Sequence, residues 1–229
     1  SYTDAVNHSL MGITQAAGDA IAHSMLTYEI VSPITLVGVI LGAATVFLFS
    51  GLAIDAVTRA AGAIVFEVRR QFAENPGIMT GETRPEYGRV VDICTRDSLR
   101  ELATPGLLAA SAPIAVGFGL GVGPLAGFLG GAITAGVLMA VFLANSGGAW
   151  DNAKKLVEDG RYGGKGSDAH AATVIGDTVG DPFKDTAGPA INPLIKVMNL
   201  VALLVLPAVF SLSDNDAARA IITVGAAAI

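Results

Sequence analysis

Long apolar stretches separated by short polar stretches dominate the hydropathy pattern of the chain. Residues 30–54 and 102–150 carry no charged side chain, whereas Asp, Glu, Lys and Arg gather in the segments between and after them. Because a helix needs about 20 apolar residues to cross a bilayer, the first stretch suits one crossing and the second suits two. A shorter apolar stretch, residues 197–213, continues a helix that begins upstream near a group of aspartates. The pattern therefore predicts four transmembrane helices.

Proline and glycine mark the ends of these helices. Pro33 suits the first turn of a helix, and the Gly121–Pro124 sequence predicts a tight turn between two neighbouring helices. The predicted helices cover about 33–72, 98–121, 125–157 and 167–212, with loops over about 73–97 and 158–166. Residues 1–32 are polar and read as an external linker before a transmembrane region over 33–229. We predict an all-α polytopic membrane protein.

The composition supports a membrane protein, and the distribution of charged residues predicts its orientation in the membrane. The chain is 52% hydrophobic and 15% charged, against about 25% charged in soluble domains. Ten of the 14 Lys and Arg residues lie in the two connections between helices one and two and between helices three and four, counted with the adjoining helix ends. The positive-inside rule makes both loops cytoplasmic and predicts a multi-pass protein of the cell membrane. A basic arm or aromatic-rich basic patch is lacking, so nucleic acid is not an expected partner.

Two other sequence features carry little chemistry. Cys94 is the only cysteine, which excludes disulfide frameworks and cysteine-based metal sites. Residues 160–166 (GRYGGKG) resemble a phosphate-binding P-loop, but the spacing is one residue short and Gly166 stands where Ser or Thr binds Mg²⁺. This stretch is predicted to be a flexible turn. We interpret Glu67 and Glu74, with the neighbouring arginines 69 and 70, as structural ion pairs.

Three aspartates at four-residue spacing precede the last apolar run. Asp177, Asp181 and Asp185 would share one face of an α-helix. Carboxylates that converge at a membrane surface need counter-charge, which Mg²⁺, lysines or both can supply. Lys184 lies within the group. A solvated helix end with alternating charge is the alternative interpretation.

A second charged group ends the third predicted helix. Asp151 and Lys155 are one turn apart and could pair only with each other. The alternative is that Asp151 binds a metal ion while Lys154 contacts phosphate as a point charge. Carboxylates and lysines that converge at a membrane face favour a polyanion held through metal ions.

The last helix carries a lysine deeper in the predicted membrane. Ideal helical phase places Asn192 close to the aspartate stripe and Lys196 at its edge. An ionisable side chain at depth is a functional candidate by default, although a lysine can also extend to the interface. A rival hypothesis for all these charges is a non-enzymatic transporter or channel module whose aspartates bind a permeating cation. Lys154 and Lys184 argue against it, because lysines repel cations and attract polyanions.

Several of these segments resemble one family closely. The stretches GGAWDNAKK (147–155), KGSDAH (165–170) and GDTVGDPFKDTAGPAINPLIK (176–196) are similar to the closing motifs of membrane-integral inorganic pyrophosphatases. EVRRQF (67–72) and RPEYGRVVDICT (84–95) are similar to a cytoplasmic loop of that family. The likeness covers nearly the whole chain from Pro33 onward. It is greatest to bacterial proton-pumping members.

The resemblance implies a pump that hydrolyses pyrophosphate at the cytoplasmic face and drives H⁺ or Na⁺ outward. The family forms homodimers of about sixteen transmembrane helices per subunit, and this chain resembles the last four. It is therefore expected to be part of a longer polypeptide and inactive alone. The family's determinant of potassium dependence lies upstream of Ser1, and the choice between H⁺ and Na⁺ stays open.

The resemblance also implies roles for individual residues. Asp151 and Asp181 would bind Mg²⁺, with Asp177 in the same metal group. Lys154 and Lys184 would contact the diphosphate. Asp185 would position the attacking water, and Lys196, with Asn192 beside it, would lie at the ion gate.

Overall fold

The computed structural model of the protein describes residues 31–228, and it is helical almost throughout this range. Most of the external segment predicted for residues 1–32 lies outside the described residues. The described residues form eight α-helices: α1 (Pro33–Glu74), α2 (Gly77–Thr80), α3 (Tyr87–Glu101), α4 (Ala103–Leu120), α5 (Val122–Glu158), α6 (Asp168–Asp181), α7 (Gly188–Ser211) and α8 (Asp216–Ala227). A short 3₁₀ turn (Arg161–Gly163) follows α5, and a π-helical segment (Pro182–Ala187) joins α6 to α7. No strand occurs in the described range, so the all-α class is confirmed.

Four helical stretches among residues 31–228 are long and apolar enough to cross a membrane. They are Pro33–Glu74, Tyr87–Leu120, Val122–Glu158 and Asp168–Ser211. The number agrees with the four transmembrane helices predicted from hydropathy, and each predicted helix overlaps one of these stretches. The length and composition of these helices confirm the prediction of a polytopic membrane protein.

The segment between the first two predicted helices differs from expectation. Residues 73–97 were expected to form a loop, but they contain α2 and most of α3. Tyr87, Val90 and Val91 follow an i, i+3, i+4 pattern on α3. Together with Val68 and Phe72 of α1, they line an apolar cavity of about 340 Å³. This apolar face favours a helix in a segment that is otherwise rich in charge, although Tyr87 and Val91 remain 68% and 61% exposed.

The described residues divide into two compact units. The first contains the residues up to Phe49, Gly106–Phe142 and the residues from Gly188 onward, and the second contains Ser50–Pro105 and Leu143–Ala187. The core of the first unit is apolar, as expected for helices that pack within a membrane. Its fully buried side chains include Val46, Leu125, Phe128, Ile191, Met198 and Leu206.

Glycines bring α1 and α5 into backbone contact in the first unit. A Cβ atom added at Gly127 would lie 2.5 Å from the carbonyl oxygen of Thr35, and one added at Gly131 would overlap that of Val39. Any side chain at these positions would therefore push the helices apart. Their four-residue spacing is a small-xxx-small motif. Gly127 and Gly131 are therefore packing residues, as such spacing favours.

Two polar side chains are buried in the second unit, at the charged end of α1. Glu67 is 6% exposed and Gln71 is 3% exposed. The Gln71 amide binds both backbone groups of Glu86: its Oε1 accepts from the Glu86 N–H (2.8 Å) and its Nε2 donates to the Glu86 carbonyl (3.3 Å). Gln71 Nε2 also donates to Glu67 Oε1 (2.9 Å). Gln71 thus fixes the start of α3 against the end of α1.

An arginine completes this arrangement. Arg70 donates to both carboxylate oxygens of Glu67, at 3.0 and 2.6 Å, and also bonds Glu74. Arg89 of α3 lies 3.2 Å from the same Glu67 carboxylate. Ion pairs at Glu67 and Glu74 were predicted, and the structure shows that Arg70 supplies both.

We expect Gln71→Ala to loosen the connection between α1 and α3. The substitution leaves the part-buried N–H and carbonyl of Glu86 without these partners, which costs up to about 1–3 kcal/mol per group, the value for full burial. Faster proteinase K cleavage between residues 75 and 86 of the complete polypeptide should follow. Arg96→Ala is the control, because the Arg96–Asp92 pair is exposed and such pairs contribute little. Equal cleavage of the two variants would show that Gln71 does not hold this connection.

Candidate functional site

The charged residues of the candidate site come from two consecutive helices and the segment that follows them. The end of α5 contributes Asp151 and Lys154, α6 contributes Asp177 and Asp181, and the π-helical segment contributes Lys184. We refer to these five residues as the lysine–carboxylate cluster. All of them lie in the second unit.

A glycine-rich turn reverses the chain between α5 and α6. Gly160, Gly163, Gly164 and Gly166 all have positive φ, a conformation that costs glycine little. Ser167 then caps α6 by accepting a hydrogen bond from the backbone N–H of His170 (3.1 Å). These positive φ values explain why glycine recurs in this stretch, which was predicted to be a turn.

The two helices cross in direct contact beside the cluster. A Cβ atom at Gly147 of α5 would lie 2.5 Å from the Gly180 carbonyl oxygen and 2.9 Å from Lys184 Cβ. A Cβ atom at Gly176 of α6 would overlap the indole ring of Trp150. The absence of side chains at these glycines lets α6 lie close enough to α5 for their charged residues to meet.

Lys184 lies at the centre of the cluster. Its Nζ is 2.8 Å from Asp177 Oδ1, 2.8 Å from Asp181 Oδ1 and 3.4 Å from Asp151 Oδ2. Its side chain is only 16% exposed. One ammonium group therefore lies among three carboxylates and reduces their mutual repulsion. This is the lysine counter-charge that the sequence predicted.

The second lysine joins the two helices. Lys154 Nζ of α5 donates a hydrogen bond to Asp177 Oδ2 of α6 and lies 3.8 Å from Asp151 Oδ1. Asp151 also accepts a hydrogen bond from Lys155 (2.9 Å). The local pair between Asp151 and Lys155 therefore exists, but Asp151 takes part in the larger cluster as well. Asp151 thus does not pair with Lys155 alone, and its predicted role as a metal ligand stays a prediction.

The donor chemistry of the cluster fits Mg²⁺, whereas its arrangement in this structure places ammonium groups between the carboxylates. Carboxylate oxygens are the protein ligands that Mg²⁺ prefers, and Asp151, Asp177 and Asp181 supply six of them around Lys184 Nζ. Within residues 31–228, no three or more His, Cys, Asp and Glu side chains are grouped so that they could hold a metal ion. The magnesium site therefore stays a prediction.

Asp185 differs from the other aspartates. It is exposed, and no ion pair involves it in the described part of the chain. It lies in the π-helical segment, which follows the end of α6. Lys184 pairs with the first two members of the predicted aspartate stripe, and the alignment of the third member stays a prediction.

The two candidate residues of the ion gate lie in the first unit. Asn192 and Lys196 are one turn apart on α7, and both are exposed. Pro193 lies between them inside the helix. Their predicted roles stay predictions.

Comparison with known proteins assigns the family. The model of the family described as inorganic H⁺ pyrophosphatase matches residues 3–205. The chain belongs to this inorganic H⁺ pyrophosphatase family. The recognition made from the sequence motifs is confirmed.

Individual relatives of this H⁺ pyrophosphatase family member show high identity. A K⁺-insensitive pyrophosphate-energized proton pump from Streptomyces avermitilis is 69% identical over 216 residues, which are 94% of this chain. A protein of the same name from Streptomyces coelicolor is 70% identical over 213 residues, or 93% of this chain. A Bacteroides thetaiotaomicron protein, named provisionally as a K⁺-stimulated pyrophosphate-energized sodium pump, is 55% identical over 174 residues, or 76% of this chain.

The chain spans about a quarter of the length of these relatives. The matched region makes up 27% of each Streptomyces protein and 24% of the Bacteroides protein. The lysine–carboxylate cluster therefore lies in a region that corresponds to about a quarter of each relative.

The motif GGAW contains two residues that sequence reasoning missed. Gly147 and Trp150 were recognised only as part of a family string, although they form the contact of α5 with α6. The four-residue spacing of Gly176 and Gly180 is the sequence signal that could have identified this contact.

Proposed function

We propose that this chain is the C-terminal part of a membrane pump that couples pyrophosphate hydrolysis at the cytoplasmic face to outward proton transport. The observation that carries the proposal is the lysine–carboxylate cluster, in which Lys154 and Lys184 join three aspartates across α5 and α6. This cluster lies at the end of one stretch that is long and apolar enough to span a membrane, Val122–Glu158, and in the first half of another, Asp168–Ser211. The printed names of the relatives support the substrate and the coupling.

The two lysines favour a polyanion over a permeating cation. In a cation pathway, ammonium groups 2.8 Å from the carboxylates would compete with the transported ion. For a diphosphate, the same groups supply positive charge next to the oxygens that develop negative charge during hydrolysis. The rival function, a non-enzymatic cation transporter or channel module, is therefore the weaker candidate.

The roles follow from charge and position. Lys154 and Lys184 bind the diphosphate as point charges, and Asp151 and Asp181 hold Mg²⁺. Bound Mg²⁺ would neutralise phosphate oxygens and stabilise the leaving phosphate. Asp185, which has no ammonium partner among the described residues, orients the attacking water and accepts its proton.

The transported ion in this proposal is the proton, with no requirement for potassium. The two Streptomyces relatives at 69% and 70% identity are named as K⁺-insensitive proton pumps, whereas the sodium-pump name belongs to a relative at 55%. The complete polypeptide would work as a homodimer in the cell membrane. The connections between α1 and α4 and between α5 and α6 would face the cytoplasm because, with the adjoining helix ends, they carry ten of the 14 basic residues.

Inverted membrane vesicles that contain the complete polypeptide test the function. Mg²⁺ and pyrophosphate are added without sodium or potassium, and phosphate release and acidification of the lumen are followed together. We expect both signals, with the acidification abolished by a protonophore. Hydrolysis that requires sodium would replace the proton with Na⁺. Absence of hydrolysis with either ion in folded protein would favour the cation-transporter alternative.

We expect Lys196→Ala to damage transport more than substrate binding. Lys196 lies about three turns beyond Lys184 along the chain, on the apolar helix α7. An ionisable residue in such a helix is a candidate member of the ion pathway. The number of protons moved per pyrophosphate hydrolysed should fall several-fold, while the KM for Mg-pyrophosphate changes less than about twofold. The vesicle assay measures both quantities. A raised KM with intact coupling would place Lys196 in the substrate site instead.

A further inference from the structure

Asp177 is the most enclosed carboxylate of the lysine–carboxylate cluster. Its side chain is 10% exposed, compared with 24% for Asp151 and 50% for Asp181. The enclosure arises from the helix crossing, because Gly176 and Gly180 flank Asp177 on α6 and contact α5. A carboxylate at such a place needs partners that offset its lost hydration.

Both oxygens of Asp177 are occupied by lysines. Oδ2 accepts a hydrogen bond from Lys154, and Oδ1 accepts one from Lys184 at 2.8 Å. Asp151 also lies near both ammonium groups, but at 3.8 and 3.4 Å. Among the described residues, Asp177 is thus the carboxylate that bonds the two lysines directly.

Lysine side chains need such an anchor. Each ammonium group ends a flexible four-carbon stem and costs about 2 kcal/mol of rotamer entropy to fix. Lys154 comes from α5 and Lys184 from the π-helical segment, so backbone geometry alone does not hold their Nζ atoms at one place. Asp177 lies between them and supplies one oxygen to each.

We propose that Asp177 is a positioning residue for the two diphosphate-binding lysines rather than a magnesium ligand. A metal ion that bound Asp177 would have to displace at least one ammonium group, because a lysine bonds each of its carboxylate oxygens. Asp151 and Asp181 are more exposed, so a metal ion could bind them with less displacement of the lysines. The proposal rests on the proposed function for the identity of the ligand. The contact of Asp177 with both lysines does not depend on that function.

The test uses the complete polypeptide in detergent, with Asp177→Asn and, as matched control, Asp168→Asn. Asp168 is an exposed carboxylate at the start of the same helix. Lysine reactivity is measured first, by acylation with an amine-specific reagent and mass spectrometry, with the exposed Lys165 as internal reference. Asp177→Asn is expected to raise acylation of Lys154 and Lys184 several-fold, and Asp168→Asn is expected to leave it unchanged. Unchanged acylation in Asp177→Asn would overturn the proposal.

Ligand binding separates positioning from metal ligation. Methylenediphosphonate, which resists hydrolysis, should bind Asp177→Asn about tenfold or more weakly at saturating Mg²⁺. The rise in thermal midpoint that Mg²⁺ alone produces should be the same as in the wild type. A lost Mg²⁺ effect with intact binding of methylenediphosphonate would make Asp177 a metal ligand and refute the positioning role.

A double-mutant cycle adds a readout that a merely structural role would not move. If Asp177 acts through Lys154, Asp177→Asn and Lys154→Met should weaken methylenediphosphonate binding by clearly less together than the product of their separate effects. Independent, multiplicative effects would contradict the proposal. Should Asp177→Asn fail to fold, Asp177→Glu takes its place, because it keeps the charge but displaces it by one methylene. Wild-type binding by that variant would also contradict the proposal.

The outcomes distinguish this proposal from the function on which it rests. A wild-type polypeptide that neither hydrolyses pyrophosphate nor binds methylenediphosphonate would refute the proposed function. The acylation pattern of Lys154 and Lys184 would still decide whether Asp177 holds the lysines.

Discussion

Replacement of Asp185 by Asn in the complete polypeptide is expected to lower pyrophosphate hydrolysis by about 10²- to 10⁴-fold, the usual contribution of general-base assistance. Asp185 is exposed and stands apart from the ion pairs described for Asp151, Asp177 and Asp181. A carboxylate without an ammonium partner can accept a proton from water, whereas a lysine-bound carboxylate is a weaker base. Lys184 pairs with Asp151, Asp177 and Asp181, whereas none of the ion pairs among the described residues includes Asp185.

The effect of Asp185→Asn should be confined to the chemical step. The side chain keeps its shape and loses only its charge, so methylenediphosphonate binding and thermal midpoint should stay near those of the wild type. Asp159→Asn, at an exposed position after α5, is the control and should retain full hydrolysis. Turnover within about threefold of the wild type in Asp185→Asn would remove Asp185 from the water-activating role.

A methyl group at Gly147 is expected to disrupt the site, whereas one at Gly148 is not. The Cβ atom of Gly147→Ala would lie 2.5 Å from the Gly180 carbonyl oxygen and 3.0 Å from the Lys184 backbone N, and backbone atoms cannot move aside cheaply. Overpacking of this kind costs about 1–3 kcal/mol. Separation of α5 from α6 by about 1 Å would displace Lys154 relative to Lys184, and misplacement on that scale can cost about 10²-fold in rate.

Gly148 provides a control on the adjacent residue. A Cβ atom there would meet no atom within 4 Å, and alanine is favoured over glycine in a helix by about 1 kcal/mol. Gly148→Ala should therefore match or exceed the wild type in thermal midpoint and hydrolysis, while Gly147→Ala falls in both. Equal behaviour of the two variants would show that the contact of α5 with α6 does not limit the geometry of the site.

The sequence predicts the membrane helices well because the relevant signal is local. Uncharged runs and Pro33 place the long helices to within a few residues of Pro33–Glu74 and Val122–Glu158. The segment that contains α3 is different, since its helix depends on contacts of Tyr87, Val90 and Val91 with the end of α1. A charged segment with turn residues therefore reads as a loop until its apolar face is matched to a partner.

The site shows the same division. The spacing of Asp177 and Asp181 and the presence of Lys184 can be read from one helix, and they predict a neutralised carboxylate group. The link from Asp177 to Lys154 cannot be read from one helix, because it depends on how α5 and α6 are aligned at Gly147 and Gly180. The π-helical segment is also hidden in the sequence. Its one proline, Pro182, lacks a backbone N–H, but the type of turn is fixed by packing.

The glycine turn between α5 and α6 has a consequence for how the protein folds. All members of the lysine–carboxylate cluster lie between Asp151 and Lys184, on two helices that a short reversal joins. Contacts between segments that are close along the chain form fast, because little entropy is lost when so short a loop closes. We therefore expect the cluster to assemble as soon as this helical hairpin leaves the ribosome and enters the bilayer, ahead of any contact with more distant segments. Its ion pairs would then guide the insertion of the hairpin as well as serve the finished site.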